Sequence, residues 1–234
     1  MRILLELKRA HQSFTYLDSV NAALVAGLVA AGARSEDLVG PASKPWTFGC
    51  EGRSDPRSRT RLFSVTVSTP DPALGEALAR LNPAEVRCTS SNGDALDLSG
   101  AVRSDIDTSN AINTELMVAF ASPFAVMRKK DGRTKSEFAQ SLDEVDLDPA
   151  LRAGLERRAG RKLDLFFHID PLTRMTDVRK RVVPLRRSPN RDILVPAFSA
   201  PMTIRGNPED VEFAFLAGLG AKTHAGFGCP IFMK

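Results

Sequence analysis

Four glycines fall within the eleven residues Gly218-Leu-Gly-Ala-Lys-Thr-His-Ala-Gly-Phe-Gly228, directly after a segment of helical character. A chain leaving a helix in this way needs backbone freedom at several positions, including φ > 0. Consecutive N–H groups in such a turn can form an anion-binding concavity. Lys222 adds a positive charge, and Thr223 and His224 add donors. Gly218, Gly220, Lys222, Thr223, His224, Gly226 and Gly228 are therefore candidate phosphate contacts. The alternative is that the glycines only let the loop pack closely against a helix. Two familiar phosphate loops are excluded. A Walker A loop needs Gly-Lys-Ser/Thr, whereas the triplet here is Ala221-Lys222-Thr223 with no helix after it. A dinucleotide fingerprint lies between a strand and a helix, whereas this segment follows a helix.

The rest of the chain suggests what the loop is attached to. Residues 2–9 alternate as a strand, and 10–15 form a polar loop. Leu17, Val20, Leu24 and Leu28 have helical spacing, Asp18 suits the N-terminus, and Gly32 ends the helix. A short strand is expected at 45–48, then a basic loop (Arg53, Arg57, Arg59, Arg61), a strand over 62–68 and a helix over 72–81. Strands at 86–89 and 95–102 complete a β-α-β-β-α-β order, the ferredoxin-like arrangement. A broadly similar order follows. It comprises a strand at 115–120, a helix at 147–159, strands at 163–169, 178–183 and 192–204, and a helix opening at Asn207-Pro208-Glu209. A last strand at 228–233 is limited to a sheet edge by Pro230. The expected class is α+β, with two tandem ferredoxin-like folds over 1–110 and 111–234.

Charge is unevenly placed. Residues 1–127 hold 12 Lys+Arg against 14 Asp+Glu, a net of −2, and residues 128–234 hold 20 against 14, a net of +6. Such asymmetry suggests a polyanion partner for the second half. From Arg174 to Arg191 seven basic residues (Arg174, Arg179, Lys180, Arg181, Arg186, Arg187, Arg191) meet one acid, Asp177. On a β-hairpin they form a positive arm suited to phosphates along an A-form stem. Arg128, Lys129, Lys130, Arg133 and Lys135 make a second basic patch. Arg157, Arg158, Arg161 and Lys162 belong to a helix and its exit and are expected to be solvated. Aromatic stacking platforms are not evident. Cys50, Cys88 and Cys229 are too far apart and too few for a disulfide framework or a CxxC metal site, which suggests reduced thiols in the cytoplasm. No apolar run reaches a membrane span, and no signal peptide is evident.

The glycine segment resembles the signature of the CRISPR-associated RAMP superfamily, in particular its repeat-RNA processing endoribonucleases. Pro45-Trp-Thr-Phe-Gly49, Phe120-Ala-Ser-Pro-Phe124 and the N-terminal strand-loop-helix are similar to that branch as well. The resemblance implies an RNA stem-loop ligand and metal-independent cleavage at the 3′ base of the stem, with no cofactor. The 2′-hydroxyl attacks the adjacent phosphate, leaving a 2′,3′-cyclic phosphate and a 5′-hydroxyl, so DNA is inert. Association with other effector subunits, as a monomer or homodimer, is also implied.

Such chemistry needs a base, cations for the phosphorane charge and an acid for the leaving oxygen. Many family members place a histidine in the loop after the first helix. In the matching loop, 37–45, that position falls on Val39 or a neighbour, none of them histidine. His11 is the expected substitute base. Tyr16 is a candidate phosphate donor, and Lys44 and Arg34 are candidates for transition-state stabilisation. Each also has a plain reading as a surface or packing residue. His168, in an apolar strand, is expected in the core or on the sheet surface. The missing histidine leaves a second reading, a non-catalytic stem-binding subunit of an effector complex. A two-histidine phosphoesterase fits poorly, because only His11-Gln-Ser13 has the needed form.

Overall fold

The apolar residues of the first segment alternate, and in the computed structural model Ile3 and Leu5 are buried on one face of β1 (Arg2–Leu7). The structure describes residues 1–8, 12–40, 43–54, 59–89, 95–108, 111–129, 136–188 and 191–233. His11, Arg57, Lys130, Arg133 and Lys135 lie outside them. After β2 (Ser13–Phe14) comes α1 (Leu17–Ala30), whose Val20, Leu24 and Leu28 face the same core. A short α2 (Ser35–Leu38) leads to β3 (Thr47–Ser54) and β4 (Thr60–Ser68). Helix α3 (Pro72–Ala79) follows, with the Asp71 carboxylate accepting from Leu74 N at 3.0 Å. β5 (Arg87–Thr89), β6 (Ala95–Asp97) and β7 (Ala101–Asp105) end the first half.

The second half opens with β8 (Glu115–Phe120), β9 (Met127–Lys129) and β10 (Ser136–Phe138). Then come α4 (Leu147–Ala159), β11 (Leu165–His168) and α5 (Pro171–Thr176). The chain closes with β12 (Arg179–Ser188), β13 (Arg191–Ser199), β14 (Met202–Gly206), α6 (Pro208–Ala217) and β15 (Pro230–Phe232).

Two antiparallel sheets carry the fold. The first runs β3-β4-β1-β7, with β2 joining β4 beyond β1; the second runs β11-β14-β8-β15. Within each β-α-β-β-α-β unit the strands therefore lie in the order fourth, first, third, second. That is the ferredoxin-like order twice, as the sequence suggests. Helices α1 and α3 bury one face of the first sheet, and α4 and α6 one face of the second. No helix among the described residues is long and apolar enough to cross a membrane.

Several boundaries differ from expectation, each for a local reason. The basic loop after residue 48 is largely strand: β3 and β4 pair out to Ser54↔Thr60, with a register shift at Glu51/Gly52. The 86–89 strand stays out of the main sheet and forms a three-residue ladder with β6, whose Leu96 packs in the core that α1 also fills. The 95–102 strand divides at the turn before Ala101, so only β7 reaches the sheet. The 192–204 strand divides at Ala200-Pro201, because Pro201 has no N–H for a ladder. β13 stays with β12, and β14 enters the second sheet. The 184–191 connection is mostly strand, with Pro184 accommodated at a register shift.

The two halves are stitched tightly. Arg2 of β1 is only 2% exposed, donates to the carbonyl of Pro230 and sits 4.4 Å from the centroid of Phe215. Ser68 Oγ donates to Leu216 O at 3.0 Å, and Thr47 Oγ1 to Phe227 O at 3.2 Å. Val195 and Ala197 of β13 join the core of the first half, so the β12–β13 hairpin lies against α1.

Candidate functional site

Helix α6 starts where sequence chemistry puts it, with Asn207 Oδ1 accepting from Glu209 N at 3.0 Å and Pro208 in the first turn. It ends at Gly218, and the glycine loop then doubles back on itself. Leu219 N donates to Gly228 O, and Ala221 N to Ala125 O, both at 2.8 Å. A side chain on Gly228 would meet Leu219 O at 1.8 Å, and one on Gly220 would meet Ala125 O at 2.3 Å. These contacts favour the packing explanation for the glycines. Gly226 N and Gly228 N also donate to protein carbonyls, of Thr223 and Pro123, so no concavity of consecutive free N–H groups runs the length of the loop. What the loop offers a ligand is its side chains. Lys222 stands in the left-handed region at φ 60°, the only non-glycine residue with positive φ among those described. A one-turn helix over 223–225 follows it.

Arg158, near the end of α4, holds this turn in place. Its Nη1 donates to Thr223 Oγ1 (2.7 Å) and Ala217 O (2.8 Å), and its Nη2 to Gly218 O (2.9 Å). Burial, with a smaller contribution from Arg157, pulls its guanidinium down to about 10. Thr223, expected to meet phosphate, is buried and faces Arg158.

Between α4, β9, the 40–45 loop and the glycine loop lies an open cleft of about 780 Å³. Among the described residues, five cations line it (Lys44, Arg128, Arg157, Arg158, Lys222) and no carboxylate does. Three of the five are committed. Arg158 is bound as above, Lys44 Nζ is 3.3 Å from Asp71, and Arg128 is 2.7 Å from Glu137 and 3.2 Å from Glu144. Arg157 and Lys222 have no hydrogen-bond or ion-pair partner among the described residues, which leaves both charges for a ligand. His224 also lines the cleft. Its carbonyl accepts from Asn21 Nδ2, while its ring nitrogens have no partner among the described residues. Burial, then Lys222, then Arg158 push the imidazole below its ordinary pKa, so it is neutral at neutral pH. An open cleft lined by these cations suits a phosphodiester.

Of the three catalytic candidates among the described residues, the structure brings only Lys44 to this cleft. Arg34 is exposed and paired with Glu36. Tyr16 stands immediately before α1, with its hydroxyl donating to Asp192 Oδ1 at 2.9 Å. His11 lies outside the described residues. Val39, at the expected histidine position, is 42% exposed, and the neighbouring Gly40 lines the cleft.

The basic arm is a hairpin whose Arg179, Lys180, Arg181, Arg186, Arg187 and Arg191 are all exposed. Arg174 is instead held by Asp143 and the carbonyl of Leu142. Lys129 belongs to β9, and Lys130 lies outside the described residues.

Two features escaped the sequence reading. Arg157 is exposed, as expected, while Arg158 is held in the protein instead of being solvated, and both form part of the cleft. Their signal is a stripe of small residues, Ala150, Ala153 and Gly154, ending in two arginines beside the buried Leu147, Leu151 and Leu155. The second is an aromatic surface. Phe166 and His168 share one face of β11 and stack with centroids 6.4 Å apart, 13° from parallel and exposed.

Comparison with known proteins agrees with this geometry. The family model described as CRISPR associated protein Cas6, C-terminal, matches residues 106–230. No curated protein matches the sequence significantly. Among solved structures, the product of a Cas6-related gene from Pyrococcus furiosus superposes with a TM-score of 0.70 at 17% identity, covering 100% of this chain and 98% of the other. A RAMP protein described as binding different RNA substrates gives 0.68 at 17% identity, with 100% of each chain covered. A Cas6 product complex gives 0.55 at 19% identity, with 99% and 98% covered. Arriving by the glycine loop, by the doubled strand order and by the family model, the conclusion is the same: the chain belongs to the CRISPR-associated Cas6 family.

Proposed function

We propose that the protein is a metal-independent endoribonuclease that binds the stem-loop of CRISPR repeat RNA, cuts at the base of the stem and stays bound to the product. The observation that carries this reading is the cleft lined, among the described residues, by five cations and no carboxylate, one wall of which is the glycine loop. Arg157 and Lys222 would hold the scissile phosphate and stabilise the phosphorane, with Lys44 beside them. The 2′-hydroxyl would attack phosphorus, forming a 2′,3′-cyclic phosphate and releasing a 5′-hydroxyl. The hairpin arginines would follow the stem backbone, reading its shape more than its sequence. The neighbours described as a RAMP protein binding different RNA substrates and as a Cas6 product complex support a nucleic-acid ligand. We also take residues 1–110 and 111–234 as the two structural units.

Incubating the protein with repeat RNA in the presence of EDTA tests the reading. Cleavage that survives chelation and is abolished by a 2′-deoxy at the scissile nucleotide is expected. Tight binding without cleavage of natural RNA would instead favour a stem-binding structural subunit, a reading supported by the lack of histidine in the 37–45 loop.

A further inference from the structure

Resting on that reading, we propose that His224 is the general base of the cleft, taking the proton of the RNA 2′-hydroxyl in place of the histidine missing from the 37–45 loop. Among the described histidines only His224 lines the cleft, whereas His168 stands on the exposed face of β11. Its backbone is held on both sides. Asn21 binds its carbonyl, and Arg158 binds Thr223 immediately before it. The residue is thus carried on a short, anchored turn in the wall of the cleft. Lys222, two residues earlier, supplies an unpaired charge on the same turn, and Arg157 a second from α4. A phosphate between those cations brings its neighbouring 2′-oxygen towards the imidazole. A base must be uncharged to work, and the burial and cations that hold this ring neutral serve that end.

The step balances without a co-reactant. The O2′–H proton passes to the imidazole as O2′ bonds to phosphorus and the P–O5′ bond breaks. Water protonates the leaving 5′-oxygen, and the imidazolium returns its proton to solvent. The charged groups around the ring are Lys222 on its own turn, Arg157 and Arg158 from α4, Lys44 from the 40–45 loop and Arg128 from β9. The packed helix α1 presents Asn21, with Asp18 a turn earlier, and β3 presents Phe48. The protonated form is therefore disfavoured until RNA phosphate enters.

The test is single-turnover cleavage of repeat RNA by the full chain and its His224→Ala and His224→Asn variants. Affinity is measured alongside with RNA blocked by a 2′-deoxy. Both variants should cleave about 10²–10⁴-fold more slowly, bind within threefold of the parent, and recover partly with added imidazole. The parent rate should fall as the pH drops through the imidazole's titration range, and that limb should vanish in the variants. Cleavage by His224→Ala within threefold of the parent overturns the proposal but leaves the nuclease reading intact. So does loss of binding in step with cleavage in folded variants, which marks a contact residue. Abolished cleavage in His11→Ala with normal cleavage in His224→Ala assigns the base to His11. A parent that binds but never cleaves overturns the nuclease reading itself.

Discussion

The cleft and the β12–β13 hairpin are both basic, but they use their charges differently. In the cleft, Lys44, Arg128 and Arg158 are tied to carboxylates or carbonyls, and Arg157 and Lys222 have no partner among the described residues. On the hairpin, Arg179, Arg181, Arg186, Arg187 and Arg191 are exposed with no partner among the described residues. The committed cations fix the shape and field of a partly enclosed site, within which Arg157 and Lys222 can meet a developing charge, and that favours chemistry. Mobile charges on a solvated arm follow a phosphate backbone and contribute salt-dependent affinity. The comparison therefore assigns rate to the cleft and affinity to the hairpin.

The hardest test of that division is Lys222. Lys222→Ala should lower the saturated cleavage rate by about 10²–10³-fold, or about 2.7–4 kcal/mol of activation free energy, if the ammonium meets the transition state. Stem affinity should change little. Lys222→Gly makes the comparison sharper, because it removes the charge and also relieves a left-handed backbone that disfavours side chains. Its stability should hold or rise by up to about 1 kcal/mol while its rate falls as far. Equal losses of rate and affinity would break the division. Next is Arg158→Ala, which strands Thr223 Oγ1 and two carbonyls. At about 1–3 kcal/mol for each stranded group, a total near 3 kcal/mol is expected. That corresponds to a fall in Tm of roughly 6–12 °C for a chain of this size, and calorimetry would read it.

The hairpin should answer in the opposite sense. Replacing Arg186, Arg187 and Arg191 together by alanine should weaken stem binding and flatten its salt dependence. Each lost phosphate contact should reduce the slope of log K against log salt by about 0.7–0.9. Cleavage at saturating RNA should be unaffected. A fall in the saturated rate would give the arm a share in the chemistry.

How much of this was legible depends on which forces act locally. Helices α1, α3, α4 and α6 were readable because each carries its own apolar stripe and start signal, such as Asn207-Pro208. The glycine loop was readable as a special turn, but its meaning was not. That Gly220 and Gly228 serve close contacts with Ala125 and Leu219 depends on where the chain returns. Arg158 was misread for the same reason, since its partners lie 59–65 residues away in sequence. His168 was expected in the core or on the sheet surface, and the fold puts it on the surface, where its stacking on Phe166 becomes visible. Local chemistry thus announced the scaffold, while the cleft is made of long-range contacts.

The smallest expected effect reaches the cleft through proton binding. The His224 imidazole is pushed below its ordinary 6.5 by burial, Lys222 and Arg158. Below pH 6.5 the unfolded chain therefore takes up a proton at this residue more readily than the folded one. Above pH 6.5 both forms are neutral there, and the residue makes no pH-dependent contribution. As the pH falls from 6.5 through the lower folded-state value, the RNA-free protein should lose stability at this site. His224→Asn should remove that component while other groups continue to titrate, so the difference between parent and variant unfolding curves isolates it. Stem RNA should reverse the sign if its phosphate lies against Lys222 and Arg157, because a phosphate favours the imidazolium. The parent–variant difference should then shrink or invert on adding 2′-deoxy-blocked RNA. A difference indifferent to RNA would mean that the phosphate sits elsewhere, with the hairpin binding RNA and the cleft standing empty beside it.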